Sequence, residues 1–295
     1  MAHPVAGAPG EGPMTLDANR AAARRESPGG AVEIRGLSVA LGTGARRVEA
    51  VRDLDLRVEG GELVSLLGPS GCGKSTILNA VAGYVAPERG SIVVGGERVE
   101  GPGPSRGMVF QQSSLLPWKT VLNNVGFGLK MRGVPERERR EASRRLLSLV
   151  GLSGFEDAYP AQLSGGMRQR VEIARVLITE PRVVLMDEPF SALDAQTRLS
   201  MQELLLDVFR QVRTTVLFVT HDIDEAIFLS DRIALMTRRP CRVGAEIAVP
   251  FGRPRTAAIV GSGEFAAIKR RCLEALRDER AAAAHRHDLE AQTSA

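Results

Sequence analysis

Eight residues, Gly68 to Ser75 in the order GPSGCGKS, match the spacing G-x-x-x-x-G-K-[ST] of a phosphate-binding loop. The residue types say what such a loop does. Gly68, Gly71 and Gly73 lack a Cβ, so backbone N–H groups can turn inward on a phosphate, with Pro69, Ser70 and Cys72 at the variable positions. Lys74 is then expected to reach the β- and γ-phosphates, Ser75 to offer its hydroxyl to Mg²⁺, and Thr76 to complete the cradle. Cys72 receives no catalytic part. A second cradle stands in LSGGMRQR, where Ser164, Gly165 and Gly166 lead into a helix whose N-terminus favours an anion. One nucleotide needs one cradle, so the second implies a nucleotide held by a partner. The run VVLMDE ends in Asp187, suited to a Mg²⁺ shell, and Glu188, placed to polarise a water for in-line attack. A chance glycine-rich turn, an ordinary capped helix and a charged strand end are the plain alternatives. Their occurrence together argues against each.

The loop needs a strand before it and a helix after it. Leu63–Leu67 reads as a short buried strand, and a helix opening near Lys74 carries Ile77, Leu78, Val81 and Ala82 at helical spacing. Upstream, Val32, Ile34 and Leu37 begin a strand, and Val48–Val51 and Leu54–Val58 predict two more. Ser91–Val94 with Gly95-Gly96 predicts a hairpin, and Gly107–Phe110 a buried strand. Helices are expected over Val121–Met131 and Pro135–Val150, the second with Pro at its first position and Ala142, Leu146, Leu149 and Val150 on its apolar face. Further helices are expected from Gly166 to Thr179, from about Ala195 to Arg213 and around Asp224–Leu229. Strands are expected at Val183–Met186, Thr215–Val219, Ile233–Met236 and Arg242–Val249, and Phe265, Ile268, Cys272 and Leu276 stripe a last helix. Strands alternating with helices predict an α/β fold with a mostly parallel core sheet. Residues 1–30 read as disordered, 31–280 as the folded domain with a helical insert at about 115–165, and 281–295 as a flexible tail.

Composition narrows the function. A net charge of +4 from 39 basic and 35 acidic residues, with 4% aromatics, offers neither a basic stripe nor a stacking platform for nucleic acid. Three cysteines without a CxxC pattern fit a reducing compartment. No apolar run approaches the roughly 18 residues of a membrane span, and no secretory signal is evident.

LSGG followed by MRQR, about 20 residues ahead of a strand ending in Asp-Glu, resembles the signature motif of ABC-type ATPases. The resemblance covers about residues 32–280, and its other motifs follow in order. It implies a P-loop NTPase with an antiparallel β subdomain and an inserted helical subdomain, using ATP and Mg²⁺. It implies that Gln111 in VFQQ senses the metal and the attacking water, with Ser75 and Asp187 as the other metal residues. Asp194 in SALD then belongs to the loop crossing a dimer interface, and His221 in THD contacts the γ-phosphate. GPGPSRGMVFQQSSLLPW, NNVGFGL, RRPCRV and FGRPR…GEFAAIKRR are similar to the ATP-binding subunits of nitrate, sulfonate and taurine importers. The implied partners are a second copy of the chain, transmembrane permease subunits and, indirectly, a solute-binding protein. The implied place is the cytoplasmic side of the membrane, held peripherally. Trp118 lies where such families dock the membrane subunit, although filling the helical subdomain's core is an equal alternative.

Two positions depart from the family. Leu41 stands where an aromatic residue usually stacks on adenine, and Cys241 stands where RPGR commonly has Gly. A small-molecule kinase and a nucleic-acid-associated ABC ATPase are the rival functions. LSGG disfavours the first, and the lack of a coiled-coil insert or tandem cassette disfavours the second.

Overall fold

The computed structural model describes residues 30–293 and, apart from Ala45, side chains as far as Glu279. The stretch expected to be disordered, residues 1–29, lies outside the described residues. β1 (Val32–Leu41) pairs antiparallel with β2 (Val48–Val58). The two strands expected in 48–58 are one. Asp53 adopts φ 46° and bends the chain, while Leu54, Leu56 and Val58 continue the alternation of buried residues. β3 (Leu63–Leu67) then feeds α1 (Lys74–Ala82), as the loop requires. β4 (Arg89–Val94) and β5 (Glu97–Arg98) form the hairpin turning on Gly95 and Gly96, and β6 (Arg106–Val109) follows.

The helical insert is more broken than its sequence pattern. The run 121–131 divides at Gly126 into α2 (Val121–Val125) and α3 (Phe127–Met131). A Cβ on Gly126 would meet the Arg139 side chain and Ser143 Oγ at 2.9 Å, so the glycine admits α4 (Glu136–Leu149). Pro135 caps α4 rather than opening it, because its extended ψ of 146° is not helical. The deepest residues of α4 are Ser143 and Leu147, while Ala142, Leu146 and Leu149 are only partly buried. The inward face is therefore rotated from the expected one. Ser143 is tolerated there because its hydroxyl donates to Arg139 O at 2.8 Å.

α5 (Gly165–Leu177), β7 (Val183–Asp187), α6 (Ala195–Val212), β8 (Thr215–Thr220), α7 (Ile223–Leu229), β9 (Arg232–Met236) and β10 (Val243–Ala248) complete the core. α8 runs Gly263–Thr293, so its backbone remains helical beyond 281, where the tail was expected to start. The main sheet has the order β10-β9-β3-β8-β7-β6, parallel except for β10. A second sheet, β2-β1-β4-β5, is antiparallel. Successive side chains of a strand point to opposite faces, and the central strands divide between two cores on that rule. Leu63, Leu67, Val184, Met186, Val216, Phe218, Ile233 and Leu235 join the α5–α8 side. Val64, Leu66, Val183, Leu185, Leu217, Val219, Ala234 and Met236 meet α1 and the antiparallel sheet. Strands buried on both faces explain why these runs are continuously apolar. Among the described residues no helix is long and apolar enough to cross a membrane.

Candidate functional site

The 68–75 loop leaves the C-terminal end of β3 and is wedged between both sheets. A Cβ on Gly68 would fall 2.9 Å from Met236 O, and one on Gly73 would fall 2.7 Å from Ala50 O. Gly73 also adopts φ 129° and Gly71 φ 73°, so only glycine lets the backbone pass and turn there. Lys74 is 4% exposed, and its Nζ donates to Gly68 O at 2.8 Å and Pro69 O at 2.9 Å. Its charge thus stands inside the loop, on the loop's own carbonyls.

Two carboxylates close on the loop from β7. Ser75 Oγ donates to Asp187 Oδ1 at 3.0 Å, which brings together the two hard oxygen donors expected at a Mg²⁺ ion. Burial raises the Asp187 carboxyl above its ordinary value, and the Ser75 hydroxyl pulls it back. Glu188 N donates to Val219 O at 3.0 Å, so the residue is fixed where β7 meets β8. Its Oε2 lies 3.0 Å from His221 Nδ1. Glu188, Ser191, Thr220, His221 and Asp222 line a small cavity of 50 Å³, enough for a water molecule. A larger cleft of 290 Å³ runs along Gly68, Pro69 and Ser70 to His221, Arg238 and Glu279. His221 lines both. Behind it, Thr220 Oγ1 and Gln202 Nε2 both donate to the buried Glu225, and Asp222 caps α7 through Asp224 N and Glu225 N.

Other expected residues lie apart. Ser164 caps α5, its Oγ accepting from Met167 N at 3.3 Å, and Gly166 lets α5 pass Thr197. Neither described cavity at the loop or at Glu188 is lined by Ser164, Gly165 or Gly166. Asp194 is exposed and caps α6, accepting from Thr197 N at 3.0 Å; that N–H holds its carboxyl below the ordinary range. Gln111 is exposed in the turn after β6, and Leu41 ends β1 at 41% exposure. Trp118 is 71% exposed, so it is not core filling. Its loop is held by the buried Asn124, which accepts from Leu116 N and donates to the carbonyls of Leu116, Lys119 and Thr120.

Sequence reasoning passed over three groups. Tyr84 and Phe110 stack at 6.3 Å beside the Gln111 turn, both exposed, but nothing in their spacing links them. The Gln202–Glu225–Thr220 network brings in Gln202 from 23 positions away. The meeting of Cys72 and Cys241, 169 positions apart, was equally hidden.

Known proteins share this sequence and fold. The family model described as ABC transporter matches residues 51–191. An uncharacterised ABC transporter ATP-binding protein of Methanocaldococcus jannaschii is 48% identical over 233 residues, 79% of this chain and 86% of that protein. The taurine import ATP-binding protein of Escherichia coli K12 is 49% identical over 204 residues, 69% of this chain and 80% of that one. A dimeric ATP-binding cassette in a post-hydrolysis state, bound to ADP and Pi, superposes with a TM-score of 0.66 at 31% identity, over 75% of this chain and 100% of that one. CbiO1 of Clostridium perfringens, part of an ABC transporter complex, gives a TM-score of 0.67 at 27% identity, over 74% and 88% of the two chains.

Proposed function

This chain belongs to the ATP-binding proteins of ABC transporters, and from that premise we propose that it powers an importer of a small anionic solute of the nitrate, sulfonate or taurine kind. That it binds and hydrolyses ATP as a transporter subunit follows from the family. The solute class rests on the likeness to the taurine import protein and on the motifs around Trp118 and Cys241. In this reading the chain works as a homodimer on the cytoplasmic side of the membrane, bound to permease subunits that a solute-binding protein supplies. Trp118, and the stacked pair Tyr84–Phe110 beside the Gln111 turn, are exposed aromatics suited to receive a permease helix.

One observation carries the catalytic reading. Glu188 and His221 share a water-sized cavity beside the phosphate loop, while the chain's second cradle lines neither cavity there. Each complete site then takes the phosphate loop from one subunit and Ser164–Gly166 from the other. Lys74 turns from the loop carbonyls to the β- and γ-phosphates. Glu188 removes a proton from water as its oxygen attacks the γ-phosphorus, and the bond to the β-phosphate oxygen breaks. His221, held with Nδ1 on Glu188, is the residue that contacts the γ-phosphate. Ser75, Asp187 and Gln111 would hold Mg²⁺, which supplies charge neutralisation at the phosphates. Asp194 stands at the dimer boundary, and Leu41 covers adenine without stacking on it. Reconstitution with the permease subunits in liposomes tests the import reading. ATP-driven uptake of taurine, an alkanesulfonate or nitrate is expected, and ATP turnover without uptake of any of them overturns the solute class.

A further inference from the structure

Cys72 and Cys241 face one another at the back of the phosphate loop, and nothing in the hydrolytic reading uses them. Their sulfurs are 4.0 Å apart, with the Cys241 thiol donating to Cys72, and the residues are 3% and 0% exposed. The two sides differ in freedom. Cys241 is pinned to β2, its N–H donating to Ala50 O at 2.9 Å and its carbonyl accepting from Arg52 N at 3.2 Å. Cys72 sits between two positive-φ glycines, in the segment that must cradle phosphate. The same turn braces that segment again, since Arg239 Nη2 donates to Gly71 O at 2.6 Å.

We propose that Cys72 and Cys241 are an oxidative modification site, closed to a disulfide by a hydroperoxide, and that the closed form withdraws the phosphate loop from its nucleotide. The chemistry balances. The Cys72 sulfur attacks one peroxide oxygen, the O–O bond breaks, and the departing oxygen takes a proton to leave as an alcohol or, from hydrogen peroxide, as water. The sulfenic acid left on Cys72 is then attacked by the Cys241 sulfur; the S–O bond breaks, and the oxygen departs as water with the Cys241 proton. Local chemistry favours Cys72 as the first nucleophile. The Cys241 thiol and the Lys74 ammonium hold the Cys72 thiol below its ordinary range, while the same contact and burial push Cys241 up.

Bonding must bring the sulfurs about 2 Å closer than they stand. Cys241 is fastened on both sides of its peptide, so the loop moves. The two segments already pass closely, since a Cβ on Gly73 would fall 3.0 Å from the Cys241 Cβ, so drawing Cys72 toward Cys241 shifts the turn that Gly71 and Gly73 shape. The consequence for binding rests on the reading of 68–75 as the nucleotide site; the bond itself does not.

The test uses the purified full chain treated with hydrogen peroxide, digested without reductant and analysed for a Cys72–Cys241 peptide pair. ATP affinity is read by titration before treatment, after it, and after dithiothreitol. The pair should form, affinity should fall about ten-fold or more, and dithiothreitol should restore it. Cys241→Ala and Cys241→Ser should bind ATP normally and resist peroxide, while Cys272→Ser should behave as the parent. Absence of the linked peptide overturns the proposal, as does an equal loss of affinity in both Cys241 variants. A linked peptide with unchanged affinity, in a chain whose Lys74→Ala variant does lose ATP, overturns the withdrawal of the loop. Unchanged ATP binding in Lys74→Ala would instead refute the nucleotide site, and the linked peptide would still decide the bond.

Discussion

Glu188 holds a backbone φ of 44°, a left-handed conformation that costs a non-glycine residue about 1–3 kcal/mol. The fold accepts this where β7 ends, and the result aims the carboxylate at His221 and the small cavity. Function is thus set against stability at a single residue. Glu188→Gln keeps size and backbone but loses basicity, so ATP binding should persist while hydrolysis falls about 10²–10⁴-fold. Single-turnover phosphate release measures it, and near-normal turnover would remove Glu188 as the base. A second residue couples charge to pH. Burial raises the Glu225 carboxyl above its ordinary 4.5, against the Thr220 and Gln202 hydrogen bonds that lower it. A raised carboxyl binds its proton more tightly folded than unfolded, so its contribution to stability is full below 4.5 and declines as pH rises through the folded value. Glu225→Gln cannot ionise. Its melting temperature relative to the parent should therefore improve from acid to neutral pH, and a constant difference would contradict the burial argument.

At the scale of elements, the loop carrying Trp118 depends on one amide. Asn124→Ala would leave Leu116 N–H and the Lys119 carbonyl without their partner, while the Leu116 and Thr120 carbonyls keep a backbone N–H each, at a cost of about 2–6 kcal/mol, given 1–3 for each buried group left unpaired. Chemical denaturation would read it, and a loss within 0.5 kcal/mol, roughly that of an ordinary surface change, would mean that water replaces the amide. Asn124 was illegible in the sequence because a buried Asn has no period of its own. What was legible had a pattern: Leu63–Leu67 and Val183–Met186 announce themselves as apolar runs, and the glycine spacing of 68–75 names its own chemistry. Where local pattern competed with tertiary contact, the pattern lost. Apolar periodicity ran 121–131 as one helix, but the approach of Arg139 and Ser143 divides it at Gly126. The gap at 52–53 looked like a strand break, yet a positive φ at Asp53 bends β2 without ending it. Pairs joined across the chain, such as Cys72–Cys241 and Gln202–Glu225, leave no local trace at all.

For the whole molecule, the decisive expectation concerns two copies. Ser164→Arg should abolish hydrolysis while the free subunit still binds ATP, because the altered cradle serves the other subunit's nucleotide. Lys74→Ala should weaken binding itself. A mixed dimer of these inactive chains contains one site with both cradles whole, so mixing should restore part of the activity. Full activity of Ser164→Arg alone, or turnover per subunit that stays flat on dilution below the dimer's dissociation constant, would rule out shared sites.

The sole tryptophan of the chain, Trp118, is 71% exposed and sits on a loop tied down from beneath by Asn124. The protein therefore carries a single indole fluorophore, placed at the proposed docking face rather than dispersed through its cores. Light emitted on excitation of indole reports on that loop alone. The unaccompanied subunit should emit at the red, water-exposed end of the indole range and be readily quenched by iodide. A permease helix covering the ring would shift emission to the blue and shield it, so complex formation can be followed without any label.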